Sequence, residues 1–202
     1  MKKRILLYGG AFDPPHLGHE KLLGAAIERV DPDLTLVMPT AVSPHKTPAA
    51  TPFADRAYMA RTFLELSDTV RVSGMELSSR RRKSYTFQTV RRLEKKYPGA
   101  DIYLLVGSDM LESFDTWHLY RRLCGRVTVI SAIRCDQDRG DIGSAASYIE
   151  ELGGTVLLME FKPIEISSSE IRALVRAGRP LKGLVSDYVQ RAIRKRRLYL
   201  DT

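Results

Sequence analysis

The sequence predicts a single α/β domain, residues 1–202, built on one doubly wound parallel sheet with helices on both faces. Two observations carry that expectation. Six short runs are mostly apolar rather than alternating, as strands buried on both faces are: Ile5–Tyr8, Leu34–Met38, Thr69–Val72, Ile102–Val106, Val127–Ile133 and Thr155–Met159. Between them lie segments whose apolar residues recur at helical spacing, and strands alternating with helices call for parallel pairing. A third observation bears on function. In such sheets ligands sit at the carboxyl ends of strands, where strand order reverses. Here Gly9-Gly10, the loop from Pro39, Gly107-Ser108-Asp109 and Arg134 all begin at strand ends of that kind.

Taken in order, Ile5–Tyr8 is a strand closed by a glycine pair, hence a tight turn. Pro14 and Pro15 then bar further ladder bonds, and Pro15 suits the first turn of a helix. That helix, Leu17 to Val30, carries His16-Leu17-Gly18-His19 in its first turn and buries Leu22, Leu23, Ala26, Ile27 and Val30. Asp31-Pro32-Asp33 stops it. After the second strand, Pro39 to Pro52 holds four prolines and reads as a surface loop long enough to be functional. Thr51-Pro52 opens a helix to about Leu66. Thr86 caps the next, whose Phe87, Val90, Leu93 and Tyr97 share a face. Polar residues 134–143 form a loop before a helix ending near Leu152-Gly153-Gly154. Two helices close the chain, about Ser168–Arg176 and Ser186–Arg197.

Composition narrows the class. A length of 202 residues allows one full core, and 44% apolar with 28% charged residues are the fractions of a soluble globular protein. Met1-Lys2-Lys3-Arg4 imitates a signal-peptide start, but the apolar run breaks at Gly9, short of the roughly 7–15 residues required. No run nears the ~18 apolar residues of a membrane span. Cys124 and Cys135 have no zinc or disulfide spacing. A cytoplasmic protein without membrane contact is expected. The net charge of +8 fits anionic partners. Arg80-Arg81-Arg82-Lys83 and Arg194-Lys195-Arg196-Arg197 carry much of it, but aromatics are not interleaved with them, so no nucleic-acid partner is expected. Both runs read as solvated faces.

The first chemical signal is Gly9-Gly10-Ala11-Phe12-Asp13-Pro14-Pro15-His16-Leu17-Gly18-His19. Two imidazoles at a helix start lie beside unpaired N–H groups and the positive end of the dipole, a place for anionic oxygen. Gly18 would let something approach the backbone between the histidines. Neither a Walker loop nor a dinucleotide fingerprint is present. The second signal is Ile166-Ser167-Ser168-Ser169-Glu170-Ile171-Arg172. Ser167 to Glu170 has capping-box spacing. Three hydroxyls, exposed amides and Arg172 one turn in would equally make a polyphosphate site.

The first element resembles the His-x-Gly-His signature of the nucleotidylyltransferase superfamily, and Gly-Gly-x-Phe-x-Pro-x-His-x-Gly-His is similar to that of the bacterial nicotinate mononucleotide adenylyltransferases. The second resembles their Ile-Ser-Ser-Thr-x-Ile-Arg element, with Ser169 in place of threonine. That resemblance implies a Rossmann-like fold, ATP and nicotinate mononucleotide as substrates, and deamido-NAD and pyrophosphate as products. It implies His16, His19 and Arg172 as catalytic residues, with Ser168, Ser169 and Arg172 on the outgoing pyrophosphate. Gly9, Gly10, Phe12 and Gly18 would lie against ATP, and Gly107 and Asp109 near its ribose and adenine. Arg134 follows a strand where the family has an arginine, with Cys135 replacing a common proline. Pro44-His45-Lys46 resembles a segment whose lysine reaches the mononucleotide phosphate, which assigns Lys46. Ser84-Tyr85-Thr86 resembles an element receiving the nicotinate carboxylate, and Phe114 and Trp117 match a Phe-x-x-Trp whose tryptophan stacks on pyridine. Magnesium would come bound through the ATP phosphates, with no dedicated metal site. Nicotinamide mononucleotide, another phosphate acceptor, or a non-catalytic nucleotide-binding role stay open, as does a homo-oligomer.

Overall fold

The computed structural model describes residues 2–41, 51–76, 85–133, 139–162 and 164–200. Its strands are β1 (Arg4–Gly10), β2 (Leu34–Pro39), β3 (Val70–Val72), β4 (Asp101–Leu105), β5 (Thr128–Ile133) and β6 (Thr155–Glu160). They form one sheet in the order β3-β2-β1-β4-β5-β6, every pair parallel. The chain winds outward from β1 to β3, then crosses back to add β4 on the other side of β1. Strand order therefore reverses between β1 and β4, and the expected doubly wound sheet is present. Gly10 ends β1 beside Pro39 of β2, while Tyr8 pairs with Leu105 of β4.

The helices are α1 (Leu17–Val30), α2 (Phe53–Met59), α3 (Thr86–Lys96), α4 (Ser108–Glu112), α5 (Tyr120–Cys124), α6 (Arg139–Glu151), α7 (Ser168–Arg176) and α8 (Asp187–Arg196). Side chains alternate across β1, so it feeds two cores. Ile5 and Leu7 pack with Phe87, Val90 and Leu93 of α3, Leu123 of α5 and Ile142 and Ile149 of α6. Leu6 and Tyr8 pack with Leu23, Ala26 and Val30 of α1 and with Ala60 and Phe63. A third cluster joins Met59 to Ile171 of α7, Val189 and Ile193 of α8, and Tyr199. Among the described residues, no helix is long and apolar enough to cross a membrane.

Several boundaries differ from the sequence reading. The helix expected over 52–66 is α2 followed by a 3-10 helix, Ala60–Glu65, with Pro52 at the cap position. Three residues per turn stacks Ala60 over Phe63, and both bury against the sheet. Thr86 is the first helical residue of α3, and Tyr85 occupies its cap with no side-chain bond. α6 begins at Arg139, not after residue 143, with Asp141 in its first turn favouring the helix start. Residues 107–124, unassigned from sequence, hold α4, a 3-10 turn and α5. None exceeds five residues, too short to show a period.

Candidate active site

The loop leaving β1 turns on two tight contacts. A Cβ at Gly10 would stand 2.8 Å from the Phe12 ring, so glycine is needed there. Phe12 itself takes a left-handed backbone, φ 49°, which folds its ring back under the loop. That ring is 1% exposed and lies edge-on to Tyr8, Phe63 and His19. The Phe12 ring thus supports His19 from behind. Gly9 is open, with nothing within 4 Å of where its Cβ would be.

His16 is not inside α1. Its backbone is extended, φ −143° and ψ 169°, and it caps the helix, leaving Pro15 outside. The two histidines cap it reciprocally. His16 Nδ1 accepts the His19 N–H at 3.3 Å, and His19 Nδ1 accepts the His16 N–H at 3.3 Å. An imidazole accepting at Nδ1 carries its proton on Nε2 when neutral, so both rings are fixed in the tautomer that presents an Nε2–H donor. The rings stack with centroids 3.6 Å apart. Burial lowers the His16 pKa to about 4, against a smaller opposing pull from Glu170. At neutral pH His16 is thus a hydrogen-bond donor and not a cation. The unpaired amides expected at this helix start are mostly used: Leu17 N–H donates to Leu184 O, leaving the Gly18 N–H without a partner among the described residues. A Cβ on Gly18 would come within 3.0 Å of His16 Nδ1 and 3.4 Å of Ile164 O. The close neighbour that Gly18 admits is the His16 ring.

α7 opens with the capping box read from sequence: Ser167 N–H donates to Glu170 Oε2 at 2.7 Å, and Glu170 N–H to Ser167 Oγ at 3.2 Å. The next residues dock on the loop after β1. Ser168 Oγ donates to Pro14 O at 2.9 Å, and Arg172 Nη1 to Asp13 O at 2.7 Å, with Nη2 3.3 Å from Ser169 Oγ. The two motifs, more than 150 residues apart, form one site where strand order reverses. Imidazole N–H groups, the Ser169 hydroxyl and a guanidinium meet there, a donor set for phosphate oxygens.

A cytidylyltransferase-like family model matches residues 7–174. A probable nicotinate-nucleotide adenylyltransferase of Shouchella clausii is 35% identical over 200 residues, covering 98% of each chain. That of Exiguobacterium sibiricum is 32% identical over 196 residues, covering 97% of this chain and 98% of the relative. The chain belongs to the nicotinate-nucleotide adenylyltransferases of the cytidylyltransferase-like family. The fold agrees: Plasmodium falciparum nicotinic acid mononucleotide adenylyltransferase, complexed with NaAD, superposes with a TM-score of 0.78 at 21% identity, over 98% of this chain and 97% of that one.

In this nucleotidyltransferase, Gly107 caps α4 at the end of β4, and a Cβ there would meet Asp109 Oδ1 at 2.7 Å. Glycine therefore lets the Asp109 carboxylate fold back over the strand end, close enough to add to the burial that raises the Tyr8 pKa. At the start of α3, the Thr86 and Phe87 N–H groups have no partner among the described residues. The Tyr85 ring lies 4.3 Å from that of His118. Trp117 is 9% exposed and packs on Phe114 in the cluster that holds Val106, Leu111 and Leu123, while Tyr85 and His118 are more exposed. Lys46 and Arg134 lie outside the described residues, as do Pro44, His45, Arg80 to Ser84 and Cys135.

Two buried residues were missed. Arg56, 2% exposed, donates to three carbonyls: Thr51 O at 3.1 Å, Ala11 O at 2.7 Å and Thr40 O at 2.8 Å. It ties the loop after β1 to the loop after β2. Glu76 accepts from Ala41 N–H and from the Thr89 hydroxyl, joining that second loop to α3. In sequence Arg56 is one more polar helix residue, with no local signal. Of the second basic run, Arg196 is not merely solvated: it pairs with Asp55 and sits 4.2 Å from the Tyr58 ring.

Proposed function

We propose that the chain transfers the adenylyl group of ATP to the phosphate of nicotinate mononucleotide, releasing pyrophosphate and forming deamido-NAD in NAD biosynthesis. The observation that carries this reading is that His16 and His19 at the head of α1 and Arg172 of α7 converge on the loop after β1, at the switch point of the sheet. A phosphate oxygen of the mononucleotide, ionised at neutral pH, attacks the α-phosphorus, and the bond to the β-phosphate oxygen breaks. No general base is required, and catalysis is positioning plus stabilisation of charge. His16 and His19 give N–H donors to the phosphates at the reacting centre. Because His16 is neutral, compensating charge falls to Arg172, and to Lys46 on the mononucleotide phosphate. Arg172 spends two of its roughly five N–H groups on Asp13 O and Ser169 Oγ, which leaves the rest, with the Ser169 hydroxyl and the Ser168 main-chain N–H, for the leaving pyrophosphate, the Ser168 hydroxyl being committed to Pro14 O. Gly9, open on its Cα, gives ATP close backbone, Gly10 and Gly18 shape the loop and helix start beside it with the Gly18 N–H turned to its phosphates, and Gly107, Asp109 and Arg134 lie at its ribose and adenine. Tyr85 and Thr86 receive the nicotinate carboxylate.

Magnesium belongs to the same proposal as a passenger on the ATP phosphates. Among the described residues no three metal-ligating side chains gather, and both imidazoles use Nδ1 within the cap. When bound, the ion neutralises phosphate charge. The test is to incubate the protein with ATP, magnesium and each mononucleotide and to follow pyrophosphate. Release with the acid form is expected; release only with the amide form, or none, refutes the assignment.

A further inference from the structure

We propose that Tyr199 is a positioning residue for adenylyl transfer, holding the Asp13 carboxylate away from Arg172. This inference rests on the function proposed above. Beyond α8 the chain takes left-handed backbone at Arg197, φ 51°, and at Tyr199, φ 66°. Non-glycine residues adopt that conformation only where the surroundings enforce it. The two turns bring the tail back onto Met59, Ile171 and Val189, and Tyr199 is 7% exposed. Its hydroxyl donates to Asp13 Oδ1 at 2.8 Å, in a bond buried from solvent. Burial and the neighbouring carboxylate push the Tyr199 pKa far upward, so it stays a donor at any working pH.

Asp13 is thereby gripped twice by the last third of the chain. Its carboxylate is held by Tyr199, and its carbonyl takes Arg172 Nη1 at 2.7 Å. The carboxylate is 6% exposed, and the hydroxyl is its one hydrogen-bond donor among the described residues. A buried carboxylate stripped of its donor draws on a cation beside it. Arg56 feels the Asp13 charge but is held by the carbonyls of Thr51, Ala11 and Thr40, so the guanidinium with donors to spare is that of Arg172. Arg172 already leans on the same residue and lies close enough to act on the Tyr199 hydroxyl. Without that hydroxyl, the guanidinium turns from the pyrophosphate side of the site to the Asp13 side chain. The sequence separation of 186 residues makes this a contact only the fold supplies.

The experiment compares wild type, Tyr199→Phe, Asp13→Asn and the double variant. Steady-state kinetics follow pyrophosphate release, calorimetry follows binding of inorganic pyrophosphate, and thermal melts report folding. Tyr199→Phe is expected to lower kcat about 10- to 100-fold, as roughly 1 Å misplacements do, and to weaken pyrophosphate binding, with KM for the mononucleotide unchanged. Asp13→Asn removes the charge that captures Arg172. Adding Tyr199→Phe to it should therefore change kcat less than about twofold. A packing role for the hydroxyl would not be rescued in this way. Wild-type kcat in Tyr199→Phe, or an equal loss in the Asp13→Asn background, overturns the proposal. Should Tyr199→Phe alone not fold, the double variant against Asp13→Asn decides by the same criterion. Should wild type release no pyrophosphate, the functional reading fails, and calorimetry with inorganic pyrophosphate still tests Tyr199.

Discussion

Acidification should destabilise the fold through His16, by an amount the structure sets. Burial holds the folded pKa near 4, against an unfolded value of 6.5. Below 6.5 the unfolded chain takes up a proton that the folded chain refuses. The contribution of His16 is thus fully present above 6.5 and is lost as pH falls toward about 4. Integrated from about pH 7.5 to about pH 5, that difference is about 2 kcal/mol. Urea unfolding followed by circular dichroism across this range, for wild type and His16→Gln, isolates it. Glutamine keeps an oxygen that can cap the His19 N–H, so the variant is offset by about 1 kcal/mol at neutral pH. Other groups titrate too. Burial raises the Glu20 pKa, a contribution of opposite sign that is lost as pH rises, but it is present in both proteins and cancels. The wild-type curve should fall about 2 kcal/mol further than the variant's between the two pH values. Parallel curves would show that His16 is not held neutral in the fold, and the donor role assigned to it would fail.

Two further expectations concern buried side chains, Trp117 and Arg56. Trp117→Ala should cost about 3–5 kcal/mol of stability in urea unfolding, because the ring is 9% exposed within a packed cluster; a loss below about 1 kcal/mol with mononucleotide affinity abolished would return Trp117 to the pyridine. Arg56→Met leaves the carbonyls of Ala11, Thr40 and Thr51 without their donor, and at about 1 kcal/mol or more for each buried acceptor the loss should reach about 3 kcal/mol. An unchanged denaturation midpoint for Arg56→Met would mean that the two loops hold their places without it.

Much of the fold was legible because a parallel sheet covered on both faces writes itself as apolar runs. Leu34–Met38 and Ile102–Val106 needed only that signal. Ser167 to Glu170 was legible as a cap for a similar reason, since a capping box is local grammar. The histidine cap was not. Proline two places before Leu17 is compatible with a helix already begun, and His at the cap with His three residues on lies outside the Ser/Thr-to-Glu pattern. The ring geometry was needed to see each Nδ1 take a backbone N–H. The burial of Trp117 could not be read because residues 107–124 fold as three pieces too short for a period, and packing decided which faces are buried.

What no local pattern could reveal is how the loop after β1 is held. Its carbonyls at Ala11, Asp13 and Pro14 accept from Arg56, Arg172 and Ser168, which lie 45, 159 and 154 residues away. Every residue offers a main-chain carbonyl, so an acceptor of this kind leaves no mark on the sequence, and its donor looks like any exposed polar side chain. Arg172 and Ser168 drew notice only because their segment resembles a phosphate site. Even so, part of their hydrogen-bonding capacity is spent on the loop and not on a ligand. Arg56 had no such resemblance and was passed over, although its three bonds join the loops after β1 and β2. The donors that face phosphate and the donors that fix the loop are thus drawn partly from the same residues. A change at Arg172 therefore alters both the charge offered to pyrophosphate and the shape of the loop that presents His16, so activity alone cannot separate the two, whereas pyrophosphate binding measured beside the pH dependence of stability can.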